Sequence, residues 1–206
     1  MHIEMESNSK SESARRVIEN IWKRSRINAF AHKIAAESHS KKATWLFTSG
    51  LISSVLSILF VILVYLFNSS DMEAAQKLTT SLGIDQQIAT LFFALCSIIF
   101  TLISVVLNVI GNTRKFEVKS TEHSFFCNSY QYIAQRAREA NWPDKPYEEI
   151  LELLKDLERD FQLLKARGIE PSDSHFDKAT NIFKKIRSDE ETKSAQSFNN
   201  FNKLDP

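Results

Sequence analysis

Hydrophobic and polar positions fall in blocks along this chain, and two of the blocks stand apart. Ala43–Ser70 and Gln86–Thr113 each run 28 residues without Asp, Glu, Lys or Arg. Inside them, residues 45–67 and 88–110 each hold 15 Leu, Ile, Val or Phe. As a helix, such a 23-residue segment rises about 35 Å at ~1.5 Å per residue, enough for a hydrocarbon core of about 30 Å. Soluble core helices rarely pass about 20 residues without a charge. At roughly −0.3 to −0.6 kcal/mol per large apolar residue near the bilayer centre, insertion of either run is favourable by several kcal/mol. The pattern predicts an all-α membrane protein: a two-span helical hairpin (44–111) with long cytoplasmic helices at both ends.

The flanks change period. Residues 1–12 are polar and predicted disordered, with a weak capping signal in Ser9 and Glu12. Residues 13–43 lack Pro and Gly, and Val17, Ile18, Ile21, Trp22, Ile27, Phe30 and Ile34 recur at near-helical spacing. The polar face of this amphipathic helix is basic, through Arg15, Arg16, Lys23, Arg24, Arg26 and Lys33. It suits an anionic membrane surface or a partner. It equally suits a stalk packed on the C-terminal helices, which the absence of any break before the first run favours. Residues 112–187 predict a cytoplasmic helical region. Gly111-Asn112-Thr113 is a candidate bend. A helix then runs to about Ala140 with Phe116, Phe126, Tyr130, Ile133 and Ala137 on one side, and Asn141 to Pro146 breaks it. The next helix sets Tyr147, Ile150, Leu151, Leu154, Leu157, Phe161 and Leu164 on one face and ends at Gly168. That face is a candidate assembly seam between copies. Its opposite face (Glu148, Glu152, Lys155, Glu158, Arg159) reads as solvated. Pro171 and Ser172 open a last helix with Phe176, Ala179, Ile182, Phe183 and Ile186 inward. Residues 188–206 read as a loose tail. No strand signal and no repeat beyond the two runs is found.

Averages hide this layout: net charge is +1 and mean hydropathy −0.23. The distribution of charge is informative. Lys33, Lys41 and Lys42 precede the first run, and Arg114, Lys115 and Lys119 follow the second. The loop at 68–87 carries Asp71, Glu73 and Asp85 against Lys77 alone. An excess of Lys and Arg marks the cytoplasmic side, so both termini are expected in the cytoplasm and the loop outside. Trp45 and Tyr65 suit the two interfaces. The first 44 residues contain no apolar core for a cleavable signal, so the first run is expected to act as its own insertion signal. Asn68-Ser69-Ser70 is a glycosylation sequon, relevant only in a eukaryotic secretory pathway.

Within the second run, Thr90, Ala94, Ser97, Thr101, Ser104 and Asn108 are spaced 4, 3, 4, 3, 4 and share one face. This stripe either lines water in an assembly of several copies or forms a dry packing seam with hydroxyls bonded between helices. In the first run, Ser49, Ser53 and Ser57 repeat at i+4 beside Gly50 and Ser54, a patch whose small residues favour close helix packing over pore lining.

Reactive chemistry is sparse. His2, His32, His39, His123 and His175 lack metal-ligand spacing. Cys96 lies in the second run and Cys127 outside it, so a disulfide between them is not expected. No nucleophile–base signature, His-Glu-x-x-His motif or Walker lysine occurs. Tyr130 and Tyr132 near Arg136 and Arg138 make one phosphate-binding candidate. No enzyme activity, cofactor, metal or direct nucleic-acid binding is expected.

Ile21-Trp22-Lys23, Arg26-x-x-Ala29 and Ser40 precede the first run. His123 and Tyr130 lie on the helix after the second, followed by the periodic helix from Tyr147 and the Pro171-Ser172 to Ala179 segment. In these short motifs, and over residues 15–187, the chain resembles the SLATT domain family, two-span membrane effectors of bacterial nucleotide-signalling and other conflict systems. Where that family carries a basic residue a turn beyond the alanine, this chain has His32-Lys33. The resemblance implies a bacterial inner-membrane effector in antiphage defence. Such an effector would oligomerise and permeabilise the cell's own membrane. The trigger would come in trans from a nucleotide-producing enzyme, a reverse transcriptase or their product. The alternative of a different class is a non-conducting scaffold that anchors a partner through its cytoplasmic helices.

Overall fold

A computed structural model describes the backbone of residues 2–68, 85–140 and 145–201, and the side chains of residues 10–68, 85–140, 145–190 and 192. The acidic loop with Asp71, Glu73 and Lys77, the sequon serines and Pro143 lie outside the described residues. Every described element is a helix: α1 His2–Asn68, α2 Gln86–Arg114, α3 Phe116–Ala140, α4 Tyr147–Arg167 and α5 Asp173–Phe201.

Helix α1 is 67 residues long because nothing stops it. No Pro or Gly precedes Gly50, and an isolated glycine costs a helix only about 1 kcal/mol. Helix therefore begins at His2, inside the segment predicted disordered, with Glu12 and Arg16 paired one turn apart at 2.7 Å. In the same way α5 continues to Phe201 through part of the expected loose tail, a stretch equally free of Pro and Gly.

The expected bend at Gly111-Asn112-Thr113 is displaced. Those residues stay helical, with the Thr113 hydroxyl donating to the Val109 and Ile110 carbonyls, and the break falls at Lys115. Lys115 takes the left-handed conformation (φ 46°, ψ 42°) that commonly ends a helix, more often at glycine. At its other end α2 is capped by Asp85, whose carboxylate accepts from the Gln87 backbone N–H at 2.7 Å.

The chain divides into two compact units, residues 1–38 with 118–206, and residues 39–117. In the first, α1 contributes Ala14, Ile18, Ile21 and Ala29 to a core shared with α3 and α4. Ile18, Ala137, Ile150 and Leu157 are fully buried there. Ala14, Ala29, Ala31, Ala35 and Ala36 of α1 are also buried, so small residues, and not only the large apolar ones, define the packed face. Val17, expected on that face, is exposed. Helix α5 buries Ala179 and Phe183, and Phe183 meets Trp22 edge-on at 5.7 Å.

In the second unit α2 pairs with the second half of α1. Contacts run in opposite order along the two, from Ser54–Ser104 through Ser57–Thr101 to Phe60–Phe93 and Phe67–Phe93, so the helices are antiparallel. Both are long and apolar enough to cross a membrane. Only 22% of the most apolar stretch of α1, and 11% of that following Gln86, is covered by the protein itself. A core helix of a soluble protein is mostly covered; these are not.

Candidate functional site

The residues read as a stripe on α2 meet the serine patch on α1, but only in part. Ser97 and Ser104 are buried, Thr90 and Ala94 half-buried, and Thr101 and Asn108 exposed. The line of α2 that faces α1 is Ala89, Ser97 and Ser104, flanked by Phe93 and Phe100. At about 100° per residue that line is turned from the centre of the stripe. One edge of the stripe lies in the pairing and the other lies open.

Ser53 and Ser57 are buried and Gly50 faces α2, while Ser49 and Ser54 are half-buried. The hydroxyls form two short chains. Ser57 and Thr101 oxygens lie 2.7 Å apart, the Thr101 hydroxyl donates to the Ser97 carbonyl at 2.9 Å, and the Ser97 hydroxyl to the Ser57 carbonyl at 3.3 Å. The Ser57 hydroxyl also reaches the Ser97 carbonyl, at 3.2 Å, and either oxygen of the Ser57–Thr101 pair can be the donor. Nearby, the Ser54 and Ser104 oxygens lie 2.7 Å apart, and both hydroxyls reach the Gly50 carbonyl, at 3.0 Å and 3.2 Å. Every one of these hydroxyls has a partner within the chain, which is what an apolar surrounding demands. Phe60 stacks between Phe93 (6.1 Å) and Phe100 (5.6 Å), and Phe67 meets Phe93 at 5.3 Å. Phenylalanines are abundant in both runs, so their spacing gave no pointer to this ladder.

The helix-α4 face read as an assembly seam is occupied within the chain. Ile150, Leu157 and Phe161 are buried in the core with α1 and α3, and Tyr147, Leu154 and Leu164 pack against it. Leu151 is half-buried. The tyrosine–arginine phosphate candidate does not assemble. Tyr130 and Tyr132 are two residues apart, hence about 200° apart on a helix; Tyr130 is buried and Tyr132 is 60% exposed. Arg136 is neutralised by Asp160 at 3.0 Å, with Asp156 at 3.9 Å.

An unexpected pairing lies in the helical unit of residues 1–38 and 118–206. His32 on α1 and His123 on α3, both 3% exposed, bring their Nδ1 atoms to 3.0 Å. One imidazole donates and the other accepts, so the pair holds one proton between those atoms. His32 also stacks on Phe126 (5.3 Å) and Tyr130 (5.5 Å). Burial, and secondarily the neighbouring His123, lower its pKa from 6.5 to about 4. His32 is therefore neutral at pH 7, and the adjacent Lys33 is exposed. Burial also pushes the Cys127 thiol and the Tyr130 phenol up, the latter with help from Glu170. Cys96 and Cys127 are both free thiols. Among the described residues, no cluster of three or more His, Cys, Asp or Glu could hold a metal ion.

Comparison of the chain with known protein families, with curated proteins and with solved structures finds no match.

Proposed function

We propose that the chain is a two-span inner-membrane protein of the SLATT type, an effector that permeabilises or depolarises the membrane when triggered by a partner in trans. The observation that carries the membrane reading is the largely uncovered apolar surface of α1 and α2, whose hydroxyls bond inside the pair and leave the outer faces to lipid. Lys41, Lys42, Arg114 and Lys115, all flanking the apolar runs on the same side, support cytoplasmic termini through the excess of Lys and Arg there. Two helices enclose no water path, so conduction requires several copies, each turning the exposed members of the stripe, Thr101 and Asn108, inward. The effector role itself rests on the resemblance, which is an analogy of layout.

A scaffold is the second reading, and a specific observation favours it: Ser97, Thr101 and Ser104 already bond to α1 of their own chain. The two part on induction of the full chain in a bacterial host, with membrane potential and dye entry as readouts. An effector collapses the potential once triggered. In a Cys96→Ala background, Thr101→Cys then reacts with a water-soluble thiol reagent and Leu102→Cys does not. Asn108→Asp shifts ion preference. A host that keeps its potential in every state, with Thr101→Cys unreactive throughout, identifies the scaffold. Reporter fusions after Pro206 and within residues 72–82 test the topology and should report cytoplasm and exterior respectively.

A further inference from the structure

The helical unit made of residues 1–38 and 118–206 contains a cavity of about 320 Å³ that neither the apolar runs nor the core explains. It opens between α1, α3, α4, the link at 168–172 and the start of α5. Its volume is that of about ten water molecules in the liquid, near the small end of ligand pockets.

Its walls have a consistent chemistry. Tyr130, Phe161 and Phe176 supply three aromatic rings. Arg24 and Lys165, both exposed, supply two cations against the single carboxylate of Glu170, a local excess of one positive charge. Asn28 adds an amide. Among the described residues, no hydrogen bond or ion pair reaches the side chains of Arg24, Lys165 or Asn28. The Tyr130 hydroxyl is likewise unpartnered although the residue is only 4% exposed. Tyr130 lies on the cavity wall, and its oxygen keeps access to solvent there. With its pKa raised, that phenol is a neutral donor at pH 7. His32 also lies on the wall, hydrogen-bonded through Nδ1 to His123. It presents a neutral imidazole and adds no competing charge.

Aromatic rings favour a flat ring by stacking, and guanidinium and ammonium groups favour a carboxylate or phosphate. We infer that this cavity is a binding site for a small planar aromatic anion, with its ring among Tyr130, Phe161 and Phe176 and its acidic group on Arg24 and Lys165. The site stands whether or not the apolar helices conduct.

Full-length protein in nanodiscs, with empty nanodiscs subtracted, provides the test. Equilibrium dialysis would compare AMP and indole-3-acetate, as aromatic phosphate and aromatic carboxylate, with adenosine and inorganic phosphate, which each lack one half. At least one of the two aromatic anions should bind saturably, at least tenfold more tightly than adenosine and phosphate. Arg24→Ala with Lys165→Ala should weaken that binding tenfold or more, and Phe176→Ala by a similar factor. Tyr130→Phe, which keeps the ring, should weaken it severalfold while leaving the melting temperature in place. Lys23→Ala, an exposed cation beside Arg24 in sequence and absent from the cavity wall, should change nothing. Arg24 and Lys165 are exposed and unpaired, so their removal leaves the core intact. Absence of saturable binding by both aromatic anions overturns the inference. So does phosphate binding as tightly as AMP, or a loss in Lys23→Ala equal to that in the double variant.

Discussion

His32 shows how far a single residue can depart from its sequence appearance. Beside Lys33 it reads as half of a basic pair; folded, it is a neutral imidazole between His123, Phe126 and Tyr130. Its 91-residue separation from His123 leaves no local spacing to read. The consequence is a pH dependence with a definite sign. Unfolded, His32 takes a proton near pH 6.5; folded, not until about pH 4. Between those values the unfolded state binds more protons, so stability falls as pH drops through this window, by at most about 3 kcal/mol from this group. Denaturation midpoints at pH 7 and pH 4.5 should therefore differ less in His32→Gln than in the unsubstituted chain. Parallel pH profiles for the two proteins would refute the assignment.

At the scale of elements, pairing of α1 with α2 rests on small residues and shared hydroxyls. Gly50 is often the kind of position where any side chain clashes, yet a Cβ there would lie 3.7 Å from Asn108 Oδ1 and 3.9 Å from Leu107 Cβ, ordinary contact distances. Gly50→Ala should therefore be accommodated and gain up to about 1 kcal/mol from helix propensity. Gly50→Leu should force α1 and α2 apart and break the Ser54–Ser104 contact. Disulfide trapping between cysteines placed at Ser54 and Ser104, in a Cys96→Ala and Cys127→Ala background, measures this. Efficient trapping in Gly50→Ala and poor trapping in Gly50→Leu is the expected outcome. The sequence displayed both polar stripes but not their offset. A 4, 3, 4, 3 spacing defines a face broader than one helix contact, and only packing decides which edge of that face is used.

For the whole molecule, the helices after residue 140 are part of the fold and not an appendage. Ile150, Leu157 and Phe161 complete a core with α1 and α3. Ending the chain at Ala140 would uncover Ile18, Ile21, Phe126 and Tyr130, each removed large side chain costing on the order of 2–5 kcal/mol. Such a truncation should be rapidly proteolysed in cells, and should aggregate in detergent where the full chain elutes as one species. A truncated chain that elutes and melts like the full one would show that α4 is dispensable for folding. What the sequence determined by itself is what depends on local composition and period. Two charge-free runs, the surrounding amphipathic helices and the absence of strands among the described residues follow from burial and backbone bonding, which act residue by residue. What only tertiary structure decided is which faces meet. The face of α4 that looked free for another copy is spent inside the chain, the stripe on α2 is half used by α1, and two distant histidines share a proton. Each outcome depends on contacts between segments far apart in sequence, where periodicity shows that a face is apolar or polar and carries no record of its partner.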